Sequence, residues 1–239
     1  MRTRSRACVA LVLGLVALVG TFRAVDPAGS TPTPSAVAPA PTTETTSVPT
    51  TALTAAHLLP VQGRAPRTGY DRDLFGQTWA DVDRNGCDTR NDILRRDLDA
   101  RVLKDGTHGC VVASGTLRDP YSGETIAFVR GQGTSTAVQI DHVVALADAW
   151  QKGAQQWEAS TREAFANDPL NLLAVDGPLN QQKGAGDTAT WLPPHKAFRC
   201  AYVARQVAVK HAYGLGVTQA EQDAMVRVLS ACPTEPLPS

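Results

Sequence analysis

The sequence predicts an α+β fold, mostly helical with little sheet, in a single disulfide-stapled domain at residues 57–239 of an exported chain. Three observations lead there. Short runs rich in Val, Ile and Leu alternate with longer Ala-, Gln- and Glu-rich runs, the patterns of strands and of amphipathic helices. The segment is long enough for one domain with a real core. It also holds Cys87, Cys110, Cys200 and Cys232, an even set in a chain with an export layout.

That layout is Arg2, Arg4 and Arg6 ahead of an apolar stretch at residues 7–19, so residues 1–26 are read as a secretory signal. The stretch is shorter than the roughly 20 residues that cross a bilayer as a helix. No stable membrane insertion is expected after signal removal, and the product is expected to be secreted or retained at the cell envelope. Residues 27–56 are Thr, Pro, Ala, Ser and Val with almost no charge. Such a segment buries too little surface to offset the entropy of folding, and it is read as a disordered linker.

Within the domain, residues 88–102 predict a helix, and residues 110–117 and 126–129 predict strands. Residues 136–146 read as a strand. Helical character follows at 147–157 and 160–166, with Ser160 and Glu163 spaced as a capping box, until Asn167-Asp168-Pro169 breaks it. Residues 170–175 read as a second strand, Asp176-Gly177-Pro178 as a turn, and Leu179 as the start of a helix. Residues 195–213 have helical periodicity up to Gly214, and Thr218 with Glu221 caps a last helix that runs to about Ala231. Four cysteines allow three pairings. Cys87–Cys110 and Cys200–Cys232 join sequence neighbours and are preferred, the latter tying the last two helices together. No two cysteines have the close spacing of a zinc site.

The chain has 23 basic and 23 acidic residues, and residues 57–239 alone hold 19 and 21. A slightly acidic domain is not an overall attractor of nucleic acid, so any phosphate-binding surface must be local. Residues 183–210 offer Lys183, Lys196, Arg199, Arg205 and Lys210 against Asp187, either a solvated helix face or such a surface.

The run Gln139-Ile-Asp141-His142-Val-Val-Ala-Leu146 sets an acid and an imidazole in an apolar strand. Alone, the pair reads either as a polar break bonded to backbone or as a catalytic pair. Successive strand residues face apart, so a bend or bulge at Asp141 is expected if both groups serve one site. Downstream, Asn171 heads the second strand, Asn180 lies in the first turn of the next helix, and Lys183 is one turn further on.

The order Asp141-His142, Asn171, Asn180 and Lys183 on strand, return strand and helix resembles the ββα-metal finger of HNH endonucleases. The spacing from Asn171 to Asn180 and Lys183 is similar to that in the HNH domain of the RNA-guided CRISPR nuclease. From Tyr70-Asp-Arg to Cys232, including Trp79-x-Asp-x-Asp and Gly86-Cys-Asp-Thr-Arg-Asn-Asp, the chain resembles exported actinobacterial HNH-family proteins of the DUF1524 type. The resemblance implies a finger at about residues 136–190 and a metal-dependent endonuclease acting on nucleic acid, most readily DNA. It also implies that Asp141 and Asn180 ligate one hard divalent ion, Mg2+ or Mn2+, and that Asn171 supports the histidine-bearing loop. His142, with an imidazole suited to proton transfer near neutral pH, is the expected general base, and Lys183 is expected to touch phosphate. His195 lies outside the finger and receives no catalytic role; His57, His108 and His211 are read as surface or structural.

A second acidic constellation places Asp81, Asp83, Asn85 and Gly86 at positions 1, 3, 5 and 6 of an EF-hand-like loop, with Asp92 at position 12. It is open to three readings: a structural turn, a Ca2+ site, or an active-site role alongside Arg90. The calcium reading supports a different function class, a secreted calcium-stabilised binding module that keeps the finger as scaffold. A cell-wall hydrolase would need paired carboxylates in a cleft, and no motif indicates them. Oligomeric state is not legible.

Overall fold

The computed structural model describes residues 51–239; the secretory signal and residues 27–50 of the expected linker lie outside them. Helix α1, Ala52–Leu58, corrects the linker boundary, because residues 51–56 belong to the folded domain. Ala52, Ala55 and Ala56 are fully buried against the C-terminal helices, and the Thr51 side chain caps the first turn by accepting from the Thr54 amide. Low-complexity composition hid this helix, since alanine side chains this small allow close packing without any large apolar residue.

Helix α2 spans Thr89–Asp97, with Asp88 as N-cap accepting from the Asn91 amide. The expected helix to 102 ends early, and the chain turns directly into strand β1, Leu98–Leu103. Pairing with β2, Val112–Arg118, overrides helix propensity here, and the bulged register between Asp99 and Leu103 coincides with a positive φ at Ala100. Strand β3, Thr125–Val129, completes an antiparallel sheet in the order β1-β2-β3.

Strands β4, Val138–His142, and β5, Leu172–Asp176, form a separate antiparallel pair in regular register, with Gln139 opposite Val175 and Asp141 opposite Leu173. Between them run α3, Leu146–Gln151, and α4, Ala159–Asn167. The expected capping box does not form: Glu158 occupies the N-cap position without a side-chain bond, and Glu163 instead accepts from the Gln77 amide. Helix α5, Gly177–Lys183, leaves β5 at once, capped by Asp176. Only glycine fits at 177, because a Cβ there would overlap the carbonyl oxygen of Thr136. Helices α6, Arg199–Ala212, and α7, Gln219–Leu229, close the chain, with Thr218 capping α7 through the Glu221 amide. Among the described residues no helix is long and apolar enough to cross a membrane.

The β4–β5 pair sits between two cores. Val138, Ile140, Leu172 and Ala174 pack against Ile93 and Leu94 of α2 and Phe128 of β3, while Leu173 and Val175 pack against Tyr202, Val203 and Val207 of α6. Each such large side chain stabilises the fold by about 1.5–3 kcal/mol. Both disulfides form, Cys87–Cys110 and Cys200–Cys232. The result is a mixed α/β domain whose one two-stranded element is held from both faces.

Candidate functional site

The site is built on the outer edge of β4. Val143 donates to the Asn171 carbonyl and Gly177 donates to the Ala137 carbonyl, which sets the phase of the ladder. On β5, the Ala174 and Asp176 amides turn away from β4, to Asp97 and Asp119. By antiparallel alternation, Val138, Ile140 and His142 direct their backbone groups to the open edge of β4. There the Val138 carbonyl accepts from Arg90 and the His142 carbonyl from Lys183.

No bend occurs at Asp141, which corrects the expectation from the sequence: the register is unbroken through His142, and the chain bends only at Val143 and Val144. Asp141 and His142 do lie on opposite faces of the strand. They nevertheless border one cleft of about 350 Å³, whose lining includes the consecutive residues Ile140, Asp141 and His142 together with Asn180, Arg67 and Arg72. A cavity that meets three consecutive strand residues meets the edge of the strand, where side chains of both faces are within reach.

His142 is nine-tenths buried, and its Nε2 lies 2.8 Å from the Ala166 carbonyl oxygen. A carbonyl only accepts, so Nε2 carries the proton and Nδ1 keeps its lone pair. Trp79 stacks on the ring with centroids 6.0 Å apart and planes 14° apart. Burial lowers the imidazole pKa to about 3, helped by the Arg72 and Lys183 charges and only partly offset by the bond to Ala166. Asn171 pins the chain just beyond, accepting from the Val144 amide at 2.8 Å and donating to the Val144 carbonyl at 3.3 Å.

On the other face, Asp141 accepts from Lys183 Nζ at 2.9 Å and from the Tyr121 hydroxyl at 2.5 Å. Burial raises its pKa, and the Lys183 charge and the two hydrogen bonds pull it back in part. The expectation that Lys183 touches phosphate is corrected: its side chain is wholly buried and ion-paired to Asp141. Asn180 donates from Nδ2 to Gln139 Oε1 at 2.9 Å. That bond orients the amide and leaves Oδ1 without a protein donor among the described residues.

These groups suit a hard divalent cation: one amide oxygen unclaimed, and one carboxylate with a single donor on each oxygen, all on one cleft. Among the described residues no cluster of three or more His, Cys, Asp or Glu is placed to hold a metal ion. The oxygen set is therefore sparse, of the kind that phosphate and water complete.

Residues 88–228, from α2 to α7 and including every side chain of the β4 edge, match the GmrSD restriction endonucleases, C-terminal domain. The chain belongs to this family. It is also 38% identical over 197 residues to an uncharacterized secreted protein of Arthroderma benhamiae, across 82% of this chain and 91% of that protein. No solved structure matches.

Outside the matched span of this GmrSD C-terminal-type domain, residues 60–72 bring Arg67, Tyr70 and Arg72 to the cleft. Arg72 stood in the quoted Tyr70-Asp-Arg stretch but had no role assigned to it. The basic stretch at 183–210 is not one continuous face: Lys183 and Lys210 are buried, Arg199 and Arg205 are partly buried and Lys196 is exposed. Lys210 and Lys152 are buried with Asp148 and Glu221, at 3.0 and 3.1 Å from Lys210 and 2.6 Å each from Lys152. Asp187 joins the cluster through Lys152 at 2.9 Å and through Arg64. Arg199 and Arg205 each donate to a backbone carbonyl, of Pro193 and Leu170, and of residues 183–210 only Gly184 and Ala185 line the cleft.

In the acidic loop, Asp81 accepts from the Asn85 and Gly86 amides at 3.0 and 2.9 Å, and Asp83 accepts from Asn85. Asn85 in turn accepts from the Cys87 amide, and Asp92 faces Arg95. The loop thus closes on its own backbone as an Asx-type turn. His195 Nδ1 lies 3.2 Å from the Pro120 carbonyl, away from the cleft lining.

Proposed function

We propose that this chain is an exported, metal-dependent endonuclease of the HNH type, in which β4, β5 and α5 are the ββα finger, and that it hydrolyses phosphodiester bonds, most readily of DNA. The observation that carries the reading is the neutral, oriented imidazole of His142 on a cleft shared with Asp141 and Asn180. Membership of a restriction-endonuclease domain family supports nucleic acid as the substrate class, and the secreted fungal relative supports export.

In this reading His142 Nδ1 takes the proton of the attacking water as its oxygen bonds to phosphorus, the bond from phosphorus to the 3′ oxygen breaks, and the leaving 3′ oxygen takes a proton from solvent water. An anionic phosphate entering the cleft counters the Arg72 and Lys183 charges, so the proton affinity of His142 rises when substrate is bound. Arg67 and Arg72 supply guanidinium donors to the phosphate. Asp141 and Asn180 would hold Mg2+ or Mn2+, which when bound supplies charge stabilisation to the phosphoryl oxygens. Asn171 keeps the His142 loop in place, and Lys183 lowers the cost of charge on Asp141 and keeps α5 docked.

Purified protein is expected to nick plasmid DNA with Mg2+ or Mn2+ and to stop in EDTA. His142→Ala should lose at least about a hundredfold in rate with its circular dichroism unchanged. Full activity in that variant would remove the assignment, and parallel assays on labelled single- and double-stranded DNA and RNA decide the substrate.

A further inference from the structure

Beyond the cleft, the open edge of β4 carries a second concentration of positive charge. Arg90 Nη2 lies 3.4 Å from the Val138 carbonyl oxygen. Arg90 stands in the first turn of α2, where the helix dipole already disfavours a cation. Arg130, just after β3, is oriented by two bonds of 2.6 Å, from Nε to the Val112 carbonyl and from Nη2 to Asn91 Oδ1. Both side chains are partly buried, and neither pairs with a carboxylate among the described residues. Burial and then the nearby Arg130 charge lower the pKa of Arg90, offset only in part by Asp88, whose two oxygens are spent on Asn91.

Two partly desolvated guanidinium groups beside a helix N-terminus are costly unless an anion completes them. Arg90 uses one of its five donors in a single long bond, so the remainder are available. Val138 and Asp141 are three positions apart on a regular strand, which is about 10 Å and comparable to about three base steps along a duplex axis. We propose that Arg90 and Arg130 form a second phosphate-binding site that grips the same nucleic-acid strand upstream or downstream of the bond held at His142. This rests on the nuclease reading for its substrate. It makes the open edge of β4 a track, with the chemistry at one end and an anchoring phosphate site at the other.

Binding is measured by fluorescence anisotropy on the full chain carrying His142→Ala, so that the probe survives. The probes are a fluorescein-labelled DNA duplex of about 20 base pairs, roughly two helical turns, and a labelled thymidine dinucleotide that reaches only the cleft. Arg90→Gln is expected to weaken duplex binding about tenfold, to lower the salt slope by about 1, and to leave dinucleotide binding unchanged. Arg90→Lys should restore the salt slope while regaining only part of the affinity, because it returns the charge without the fork. Arg90 loses only one long bond in these variants, so the fold is not at stake as it would be with Arg130. An unchanged affinity and slope in Arg90→Gln would overturn the site. Failure of the nuclease reading is seen separately, as wild-type protein that shows no His142-dependent cleavage.

Discussion

Lys183 Nζ lies 2.9 Å from Asp141 Oδ1 with both side chains buried, and the same nitrogen donates to the His142 carbonyl at 2.8 Å. One ammonium thus fastens α5, which carries Asn180, to the end of the strand that carries the acid and the imidazole. Removing it leaves the buried Asp141 without its cationic partner, held only by the Tyr121 hydroxyl. Lys183→Met is expected to cost about 3–5 kcal/mol in urea unfolding, and Lys183→Met with Asp141→Asn much less than the sum of the two single changes. A cost below about 1 kcal/mol for Lys183→Met would mean that the lysine is a surface group after all.

His142 lowers the stability of the metal-free protein in mild acid. Its folded pKa of about 3 lies below the ordinary value, so the unfolded chain binds the proton first. The His142 contribution to stability is constant above pH 6.5 and falls as pH drops from there toward 3, by up to about 1.4 kcal/mol per pH unit. Asp141 works in the opposite sense over the lower part of that window, because its pKa is raised and the folded state holds that proton more tightly. Melting temperatures in EDTA should therefore decline from pH 6.5 to 4.5 in wild type and stay flatter in His142→Asn.

Lys152, Lys210, Asp148, Glu221, Asp187 and Arg64 form one connected charge cluster apart from the cleft. Burial pushes Asp148 up, but the Lys210 and Lys152 charges and bonds outweigh it and hold its pKa below the carboxylate range. That stability is present above about pH 3.9 and lost only as pH falls through the lower folded value. Burial opposes the charge on Lys210, yet Asp148 and Glu221 raise its pKa, so its contribution is lost only above about pH 10.4. Glu221→Gln is expected to destabilise by about 3–5 kcal/mol at pH 7 in chemical denaturation, since it leaves Lys152, Lys210 and Arg64 against Asp148 and Asp187 alone. A flat response would show that the cluster is hydrated.

What the sequence made legible is local. The strand through Asp141-His142, read as 136–146 and found at Val138–His142, the return strand behind Asn171, the capped α7 and both disulfides follow from short-range pattern and from cysteine proximity. Lys183 was misplaced because a helix-face argument cannot tell which neighbour covers that face. The charge cluster was missed because its members come from five separate segments, and only Asp148 on α3 and Lys152 at its C-cap, four apart, leave a spacing signature. Tyr121 lies in the turn between β2 and β3, and no rule of spacing links it to Asp141. The strand-edge geometry, which makes a bend unnecessary, became readable only once β4 was seen to lack a second neighbour.

The Trp79 ring faces His142, and its backbone holds a positive φ of 58°. That conformation is unfavourable for a bulky residue and must be held from outside. Thr89 does so, its amide donating to the Trp79 carbonyl at 3.4 Å and its hydroxyl to the Ala80 carbonyl, and Cys87–Cys110 closes the loop between them and the sheet. Cys200–Cys232 instead joins the start of α6 to the end of α7, away from the cleft lining. Loop entropy gives the two bridges similar worth, about 3–4 kcal/mol each. Replacing either pair by alanine should therefore lower the melting temperature comparably. Below both transitions, only the Cys87→Ala, Cys110→Ala protein should cleave DNA more slowly, with Trp79→Ala slowing it further than Trp79→Phe. Equal rates in the two disulfide variants would show that the loop does not position the imidazole.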